Sequence, residues 1–492
     1  MASNVVDIEP IWEHQERLGV EAIGANPATY LAWDMGSGKS RPIVEYVKRT
    51  FDGEPARILI ACPKAVVSVW PAQFARFAPD LDVEILPLGD KPVTKRADKL
   101  KSEINRQAHF GRPLVVLVNY DAAWRKPLAS VLTSVRWHLI ACDEIHRIKS
   151  PCGIASRFFG ALARQADRRV GLSGTPMPHS PLDVWAQFRF LDPNVFGWSF
   201  VRFRARYAVM GGFENRQVLG FKNLEELQAL FYSIASRVTL DDVLPDLPKA
   251  THTERRFALS PKSRKLYDEV DREFCALVDD GVITASNALV KLLRLSQIAN
   301  GFVLLDEDEL PAGGVRLRVT SDEKTEALVE LLDDVPAEEP VVVFARFHHD
   351  LDEIKGAAAR ACRAAYELSG RHKSLDEWLD HCDGFDDRDK SEERTRRAAP
   401  VLAVQIGTGS EGVDGLQLRS NYCVFFSCGW SLGQYYQAIG RLRRPGQESR
   451  TTVVHLIAES TVDSTICAAL AKRREIVESV LDDAKRRATK ES

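Results

Sequence analysis

The chain has 492 residues, 45% of them hydrophobic and 27% charged, with a formal net charge of −3 and nine cysteines. That length supports two to four domains with full cores, and the absence of an apolar run of about 18 residues excludes membrane-spanning helices. An odd cysteine count with no Cys-x-x-Cys pair argues against a disulfide framework and for a reducing, intracellular compartment.

The small net charge hides an uneven distribution. Residues 1–250 carry 32 Lys/Arg against 27 Asp/Glu, whereas 251–492 carry 34 against 42, and the stretch 101–222 alone carries 18 against 8. A local basic excess beside an acidic remainder is what a single phosphate-facing surface needs. Met1–Pro10 holds acids and no apolar core, unlike a secretory leader. Cys362, His372, His381 and Cys382 match no common ligand spacing, so no structural zinc is expected.

In chain order, residues 8–24 read as a Pro-started amphipathic helix in which the amide of Gln15 could address an adenine edge. Next comes Leu31-Ala32-Trp33-Asp34-Met35-Gly36-Ser37-Gly38-Lys39-Ser40. Its Gly-x-Gly-Lys-Ser core predicts a tight turn whose backbone N–H groups surround phosphate oxygens. Lys39 is aimed at the β/γ-phosphates, and the Ser40 hydroxyl is offered to Mg²⁺. A helix through Ile43–Val47 follows, placing the loop at a helix N-terminus, where the dipole favours anions. Apolar runs at Arg57–Cys62, Leu114–Asn119 and Trp137–Cys142 alternate with helical patterns, which predicts a parallel sheet flanked by helices. The last run ends in Asp143-Glu144-Ile145-His146. Two carboxylates at the carboxyl edge of such a sheet suit Mg²⁺ binding by Asp143 and orientation of an attacking water by Glu144. Gly171-Leu172-Ser173-Gly174-Thr175-Pro176 closes another short run, and the Ser173 and Thr175 hydroxyls are placed to sense a γ-phosphate.

Residues 195–240 read as helical and basic, with Phe200–Tyr207 interleaving arginines and aromatics; this pattern fits a nucleic-acid surface or a helix with buried rings equally well. Pro245, Pro248 and Pro261 mark 245–261 as a linker. A second α/β unit starts near Pro340–Ala345, with further strands at Val401–Ile406, Tyr422–Phe426 and Thr452–Leu456. The charged stretch 371–397, with 9 acids and 7 bases, reads as a solvated, partly helical insertion and not a site. Finally Gly407–Asp414 is glycine-rich, and Gln437-Ala438-Ile439-Gly440-Arg441-Leu442-Arg443-Arg444 places Arg441 and Arg444 at i and i+3 of an expected helix, able to converge on one spot.

The ordered set of Gln15, Asp34–Ser40, Asp143–His146, Ser173–Pro176 and Gln437–Gln447 resembles helicase superfamily two, in particular its Swi/Snf-type branch. That branch replaces the usual first glycine of the phosphate loop, which accounts for Trp33. Pro63-Lys64 with Trp70, Arg147-Ile148-Lys149 and Val243–Lys249 agree with it, although the basic pair before the last segment is reduced to Arg237 followed by Val238 and Thr239. Ser427 stands where relatives often place Asp, and Arg443 where many have His. The resemblance implies an α/β fold of two tandem RecA-like (P-loop NTPase) domains with parallel sheets flanked by helices, plus helical insertions. It implies lobe 1 over 1–248 with a helical insertion at about 195–240, a helical linker over 249–339, and lobe 2 over 340–492 with the charged insertion at about 371–397. ATP and Mg²⁺ are the implied cofactors, with Met35, Gly36, Ser37 and Gly38 joining Lys39 and Ser40 around the phosphates. Gln437, Arg441 and Arg444 are implied to complete catalysis, and His146, Ser173 and Thr175 to couple hydrolysis to movement. Lys64, Asn119, Arg346, Thr408 and Trp430 are the implied nucleic-acid track. The expected activity is DNA-stimulated ATP hydrolysis driving translocation on double-stranded DNA, in a bacterial or phage protein working with a separate protein partner. Strand separation, or an ATP-switched binding module without motor action, are the alternatives.

Overall fold

Six-residue apolar runs flanked by polar or glycine-rich turns become strands buried on both faces, and these build the first sheet. The computed structural model describes residues 9–89, 91–107, 112–212, 217–279, 285–304, 317–384, 398–407 and 415–481. The chain divides into two units, Met1–Pro245 with Arg473–Ser492, and Asp246–Lys472.

In the first unit the strands are β1 (Ala28–Trp33), β2 (Arg57–Cys62), β3 (Glu84–Leu88), β4 (Leu114–Asn119), β5 (Trp137–Asp143), β6 (Ala166–Leu172), a hairpin of β7 (Ala208–Gly211) and β8 (Gln217–Phe221), and β9 (Ala235–Val238). Seven of them form one sheet in the order β3-β4-β2-β5-β6-β1-β9, every neighbouring pair parallel. All six residues of β1 and of β4 are buried, as a parallel sheet covered by helices on both faces requires. On one face Trp33, Ile43, Val47, Trp70 and Phe74 pack the sheet against helices Arg41–Phe51 and Val69–Phe77. Tyr30, Phe188 and Phe231 cluster elsewhere in the unit as tilted ring pairs, with centroids 5.4 Å (Tyr30–Phe231) and 5.6 Å (Phe188–Phe231) apart.

The segment expected to be helical over 195–240 is only partly so. It contains the β7–β8 hairpin, and its end, β9, joins the sheet edge beside β1. Four residues of mixed polarity carry no helix-breaking signal; pairing with β1 overrides local propensity. Within helix Phe200–Tyr207 the rings of Phe203 and Tyr207 are buried against Phe196, so here the aromatics serve packing.

The second unit holds β10 (Thr251–Phe257), a ribbon of β11 (Phe302–Leu304) and β12 (Leu317–Val319), then β13 (Val341–Ala345), β14 (Arg363–Leu368), β15 (Ala398–Gln405), β16 (Tyr422–Phe425) and β17 (Thr452–Ala458). Its parallel sheet runs β10-β17-β16-β13-β15-β14. Two corrections follow for the expected boundaries. The linker 245–261 contains an edge strand of this sheet, disguised because Thr251-His252-Thr253-Glu254-Arg255-Arg256 is polar, as exposed edges are. The charged stretch 371–397 begins as helix Leu375–Gly384, whose Trp378 is fully buried in the core beside Leu402, Val404 and Phe425. The final helix, Val462–Leu481, ends in the first unit, where the Tyr232 hydroxyl donates to the Leu481 carbonyl at 2.8 Å. Among the described residues no helix is long and apolar enough to cross a membrane.

One close approach governs how the phosphate loop is held. A Cβ on Gly19 would lie 2.6 Å from Cγ of Pro42, at the start of the helix that follows the loop. The proline ring cannot turn aside. Gly19→Ala should therefore destabilise the first unit by about 1–3 kcal/mol through overpacking, read as a lowered denaturant midpoint.

Candidate active site

Strand order brings the chemistry together. β1, β6 and β5 are neighbours, with Leu172 of β6 paired to Leu31 on one side and to Asp143 on the other. The loops leaving these three strands, Asp34–Ser40, Ser173–Pro176 and Asp143–His146, therefore emerge side by side at one carboxyl edge, the place where α/β sheets bind ligands.

The loop after β1 turns through Gly36 at φ 83° and Gly38 at φ 77°, conformations that side chains disfavour. A Cβ on Gly38 would also collide with the Gln15 amide at 2.1 Å. Lys39 folds back so that its Nζ donates to the Asp34 carbonyl at 2.8 Å, and the Ser37 hydroxyl donates to the same oxygen at 2.7 Å. Burial lowers the pKa of Lys39, opposed by Glu144, Asp143 and Asp34. Ser40 precedes helix Arg41–Phe51, and Met35 is half-buried. Gln15, expected to present its amide to adenine, is buried with both ends engaged. Its Oε1 accepts from the Trp12 N–H at 3.0 Å, and its Nε2 faces the Gly38 carbonyl at 3.4 Å. Beside it His14 Nε2 lies 2.9 Å from the Ser37 carbonyl, and its ring meets Trp33 edge-on at 4.9 Å.

Asp143 ends β5. Its Oδ2 accepts from Trp70 Nε1 at 3.3 Å, and its backbone carbonyl accepts from the Tyr120 hydroxyl at 2.7 Å. Burial, then the Glu144 charge, push its carboxyl up to about 7, against the pull of Lys39. Glu144 adopts the left-handed conformation at φ 52°, a strained backbone for a non-glycine residue. Its Oε2 lies 3.2 Å from His146 Nδ1 and 3.5 Å from the Ser173 hydroxyl, and His146 and Ser173 are themselves 3.0 Å apart. Ser173 Oγ also accepts from the Thr175 N–H at 3.1 Å. The Thr175 hydroxyl is buried with no hydrogen-bond partner among the described residues. The available oxygen donors, the Ser40 hydroxyl and the Asp143 carboxylate, fit a hard cation such as Mg²⁺. A buried carboxyl held near neutrality is a group that such a cation would return to its charged form.

In the second unit Gln437 is buried on helix Leu432–Ile439, whose first turn is capped by the Ser431 hydroxyl. Arg441 and Arg444 were expected on that helix and are not: it stops at Ile439. Turns follow, with Arg441 N–H donating to the Ala438 carbonyl at 3.2 Å and Arg443 N–H to the Ile439 carbonyl at 2.9 Å. Gly440 weakens the helix, and Pro445 disfavours helical backbone at Arg444. The turn is tied down by Gln447, whose Nε2 donates to the Ser420 carbonyl at 2.9 Å, and by Arg443 Nε donating to the Pro248 carbonyl at 3.2 Å.

Of the expected nucleic-acid residues, Lys64 and Asn119 leave the adjacent strands β2 and β4. Lys64 is exposed, while Asn119 is buried and accepts from Arg96 Nη1 at 2.9 Å. Arg346 follows β13 with its guanidinium 5.0 Å from the Phe347 ring centre, and Trp430 is half-exposed after β16. Thr408, like most of the Gly407–Asp414 stretch, lies outside the described residues.

The departure at Ser427 has a structural explanation. Its hydroxyl accepts from the Arg346 N–H at 2.8 Å and donates to the Asp350 carboxylate at 2.5 Å. Asp350 is fully buried, and an aspartate at 427 would set a second carboxylate against it. Sequence reading missed Asp350, and it placed Trp70 and Arg237 in motifs without showing that Trp70 donates to Asp143 or that the Arg237 guanidinium pairs with Asp34 at 2.6 Å. Each of the three acts across a fold-level contact.

A phosphate loop, a paired acid and a small-hydroxyl loop on neighbouring parallel strands define a P-loop NTPase lobe. The SNF2-related domain matches residues 21–303, more than half of the sequence, and the chain belongs to that family. It is 24% identical to protein p41 of Acyrthosiphon pisum secondary endosymbiont phage 1, covering 92% of this chain and 94% of that one. A Mycoplasma pneumoniae chain named as an uncharacterized ATP-dependent helicase is 21% identical over 92% of this chain, which spans only 40% of that relative's length. The mouse SWI/SNF-related matrix-associated actin-dependent regulator of chromatin subfamily A member 1 is 25% identical, over 89% of this chain and 40% of its own. The SWI2/SNF2 ATPase core of Sulfolobus solfataricus, solved in complex with dsDNA, aligns with 96% of this chain and 93% of its own at 23% identity and a TM-score of 0.41.

Two outcomes test this geometry. Trp70→Phe removes the N–H that holds Asp143 while keeping a large buried ring, and should lower the maximal ATPase rate about 3- to 10-fold with little change in unfolding temperature. Burial, opposed by the Ser427 hydroxyl and Lys324 and reinforced by Asp463, raises the Asp350 carboxyl to about 7. A folded-state pKa above the unfolded value means that Asp350's own contribution to stability is fully present below about pH 4 and is lost as pH rises towards 7. Asp350→Asn removes that loss. Its stability relative to wild type should climb between pH 4 and 7, by at most about 1.4 kcal/mol per pH unit, in denaturation curves taken across that range.

Proposed function

We propose that the chain is a nucleic-acid-stimulated ATP hydrolase of the SNF2 type that moves along double-stranded DNA. The observation that carries this reading is the convergence of Lys39, Asp143-Glu144 and Ser173-Thr175 on three neighbouring strands of one sheet edge. Relatives named as an ATP-dependent helicase and as a SWI/SNF-related chromatin regulator support it, as does the basic excess over 101–222.

In this reading Lys39 leaves the Asp34 carbonyl for the β/γ-phosphates, and the backbone N–H groups of Gly36–Ser40 surround them. Glu144 orients the attacking water and accepts its proton, its carboxylate steadied by His146 and Ser173. Ser40 and Asp143 would hold Mg²⁺, which supplies charge neutralisation at the phosphates. Thr175, with its unpartnered hydroxyl, reports the γ-phosphate to the Ser173–His146 pair. Arg441 and Arg444, with Gln437 behind them, would supply the cation that stabilises transition-state charge, an effect worth about 10³–10⁵ in rate in arginine-finger enzymes. Alternating grip by Lys64, Asn119, Arg346, Thr408 and Trp430 would convert turnover into movement.

Steady-state ATPase measured without nucleic acid, with blunt duplex DNA, with single-stranded DNA and with RNA tests the proposal. Duplex should stimulate most strongly, and Lys39→Ala and Glu144→Gln should each abolish at least ~99% of the stimulated rate. Stimulation by single strands alone, together with ATP-dependent unwinding of a tailed duplex, would replace translocation by strand separation.

A further inference from the structure

The edge strand β9 is joined to the phosphate loop by more than its ladder. Trp33 Nε1 donates to the Ser236 hydroxyl at 2.8 Å, and the Asp34 N–H donates to the Val238 carbonyl at 2.8 Å. Within the paired register, where it stands opposite Ala32, Arg237 sends Nη1 to the Ala32 carbonyl at 2.8 Å and Nη2 to Asp34 Oδ1 at 2.6 Å. The other carboxylate oxygen of Asp34 accepts from the Leu240 N–H at 3.1 Å. Asp34 is thus held on both sides by residues some 200 positions downstream. Its own carbonyl receives the Lys39 ammonium, the Ser37 hydroxyl and, at 3.3 Å, the Ser37 N–H.

We propose that Arg237 is a positioning residue for nucleotide binding: by forking between Ala32 and Asp34 it fixes the peptide from which the phosphate loop hangs. A strand at a sheet edge needs no such fork to pair. The guanidinium is largely buried, its charge is matched by Asp34, and its planar donors reach two acceptors, one near the end of β1 and one just past it, which a lysine cannot do. Without it, Asp34 keeps its N–H bond to Val238 and its bond from Leu240 but loses the fork, and the carbonyl that receives Lys39 is less firmly held. The loss falls on the ordered loop that phosphate must find, so it appears in affinity. Because Leu240 follows directly and the chain leaves the first unit at Pro245, nucleotide occupancy is also tied to the segment by which the chain exits.

The inference rests on the proposed ATP site, and the experiment separates the two. In the full chain, ATPase kinetics, binding of a fluorescent N-methylanthraniloyl ADP and thermal unfolding would be compared for wild type, Lys39→Ala, Arg237→Gln, Arg237→Lys, Asp34→Asn and the Arg237→Gln/Asp34→Asn double variant. Arg237→Gln should raise KM for ATP and Kd for the probe about 10-fold while kcat at saturating ATP stays within about 2-fold. Arg237→Lys should fall between, and the double variant should be no worse than the poorer single one, since both remove one link. An unchanged KM and Kd in Arg237→Gln, with Lys39→Ala defective, would overturn the positioning role and leave the ATP site standing. A fall in kcat and unfolding temperature at constant Kd, or additive losses in the double variant, would overturn it equally. Undiminished binding and turnover in Lys39→Ala would overturn both.

Discussion

Parallel pairing of β5, β6, β1 and β9 is the constraint on which the first unit depends. All of β1 and most of β5 are buried, so register cannot slip without carrying apolar side chains into contact with polar ones or leaving ladder groups unpaired. With register held, the carboxyl ends finish level. Three loops of unrelated sequence then share one edge, and the fourth strand reaches across to clamp the first loop. The same pairing explains why Trp33 is tolerated at a position where phosphate loops commonly carry glycine. Its ring lies wholly in the core, its N–H is met by Ser236, and only its backbone belongs to the loop.

Electrostatics at that edge is governed by burial of charged groups. Burial pushes Asp143 towards its neutral form and Lys39 towards its own, and the charges of Lys39 on Asp143 and of Glu144 and Asp143 on Lys39 oppose that. Trp70 and Tyr120 hold Asp143 from behind, and His146 and Ser173 hold Glu144 from the side. These supporting residues fix rotamers whose charges would otherwise turn towards solvent. The strained backbone at Glu144 belongs to the same arrangement: a left-handed residue directly after a strand points consecutive carboxylates in different directions, so one can face a cation while its neighbour faces the hydroxyl loop.

The second unit solves a related problem differently. Ser427, just after β16, donates to the carboxylate of Asp350 in the first turn of the helix His348–Arg360. The hydroxyl passes that charge to the backbone of Arg346. The arginine-bearing segment after Ile439 is fixed by Gln447 and Arg443 through hydrogen bonds to distant carbonyls, which hold a turn where periodicity alone implies helix.

What the sequence determined by itself was the chemistry and the class of fold. Glycines flanking a lysine, acids ending an apolar run and alternating strand and helix patterns are local, because backbone conformation at Gly36 and Gly38 and the burial of runs such as Leu114–Asn119 depend on residues within a few positions. Only the tertiary structure decided that β9 and β10 are sheet edges, since both are short or polar and gain their conformation from the strand beside them. The charged stretch after Arg371 likewise hides a core tryptophan whose burial is set by β15 and β16 rather than by its acidic neighbours. The partners of Arg237, Trp70 and Asp350 belong to the same class: they lie tens to hundreds of residues away and are chosen by the folded sheet, even where, as for Arg237 and Trp70, a local motif marks the residue itself.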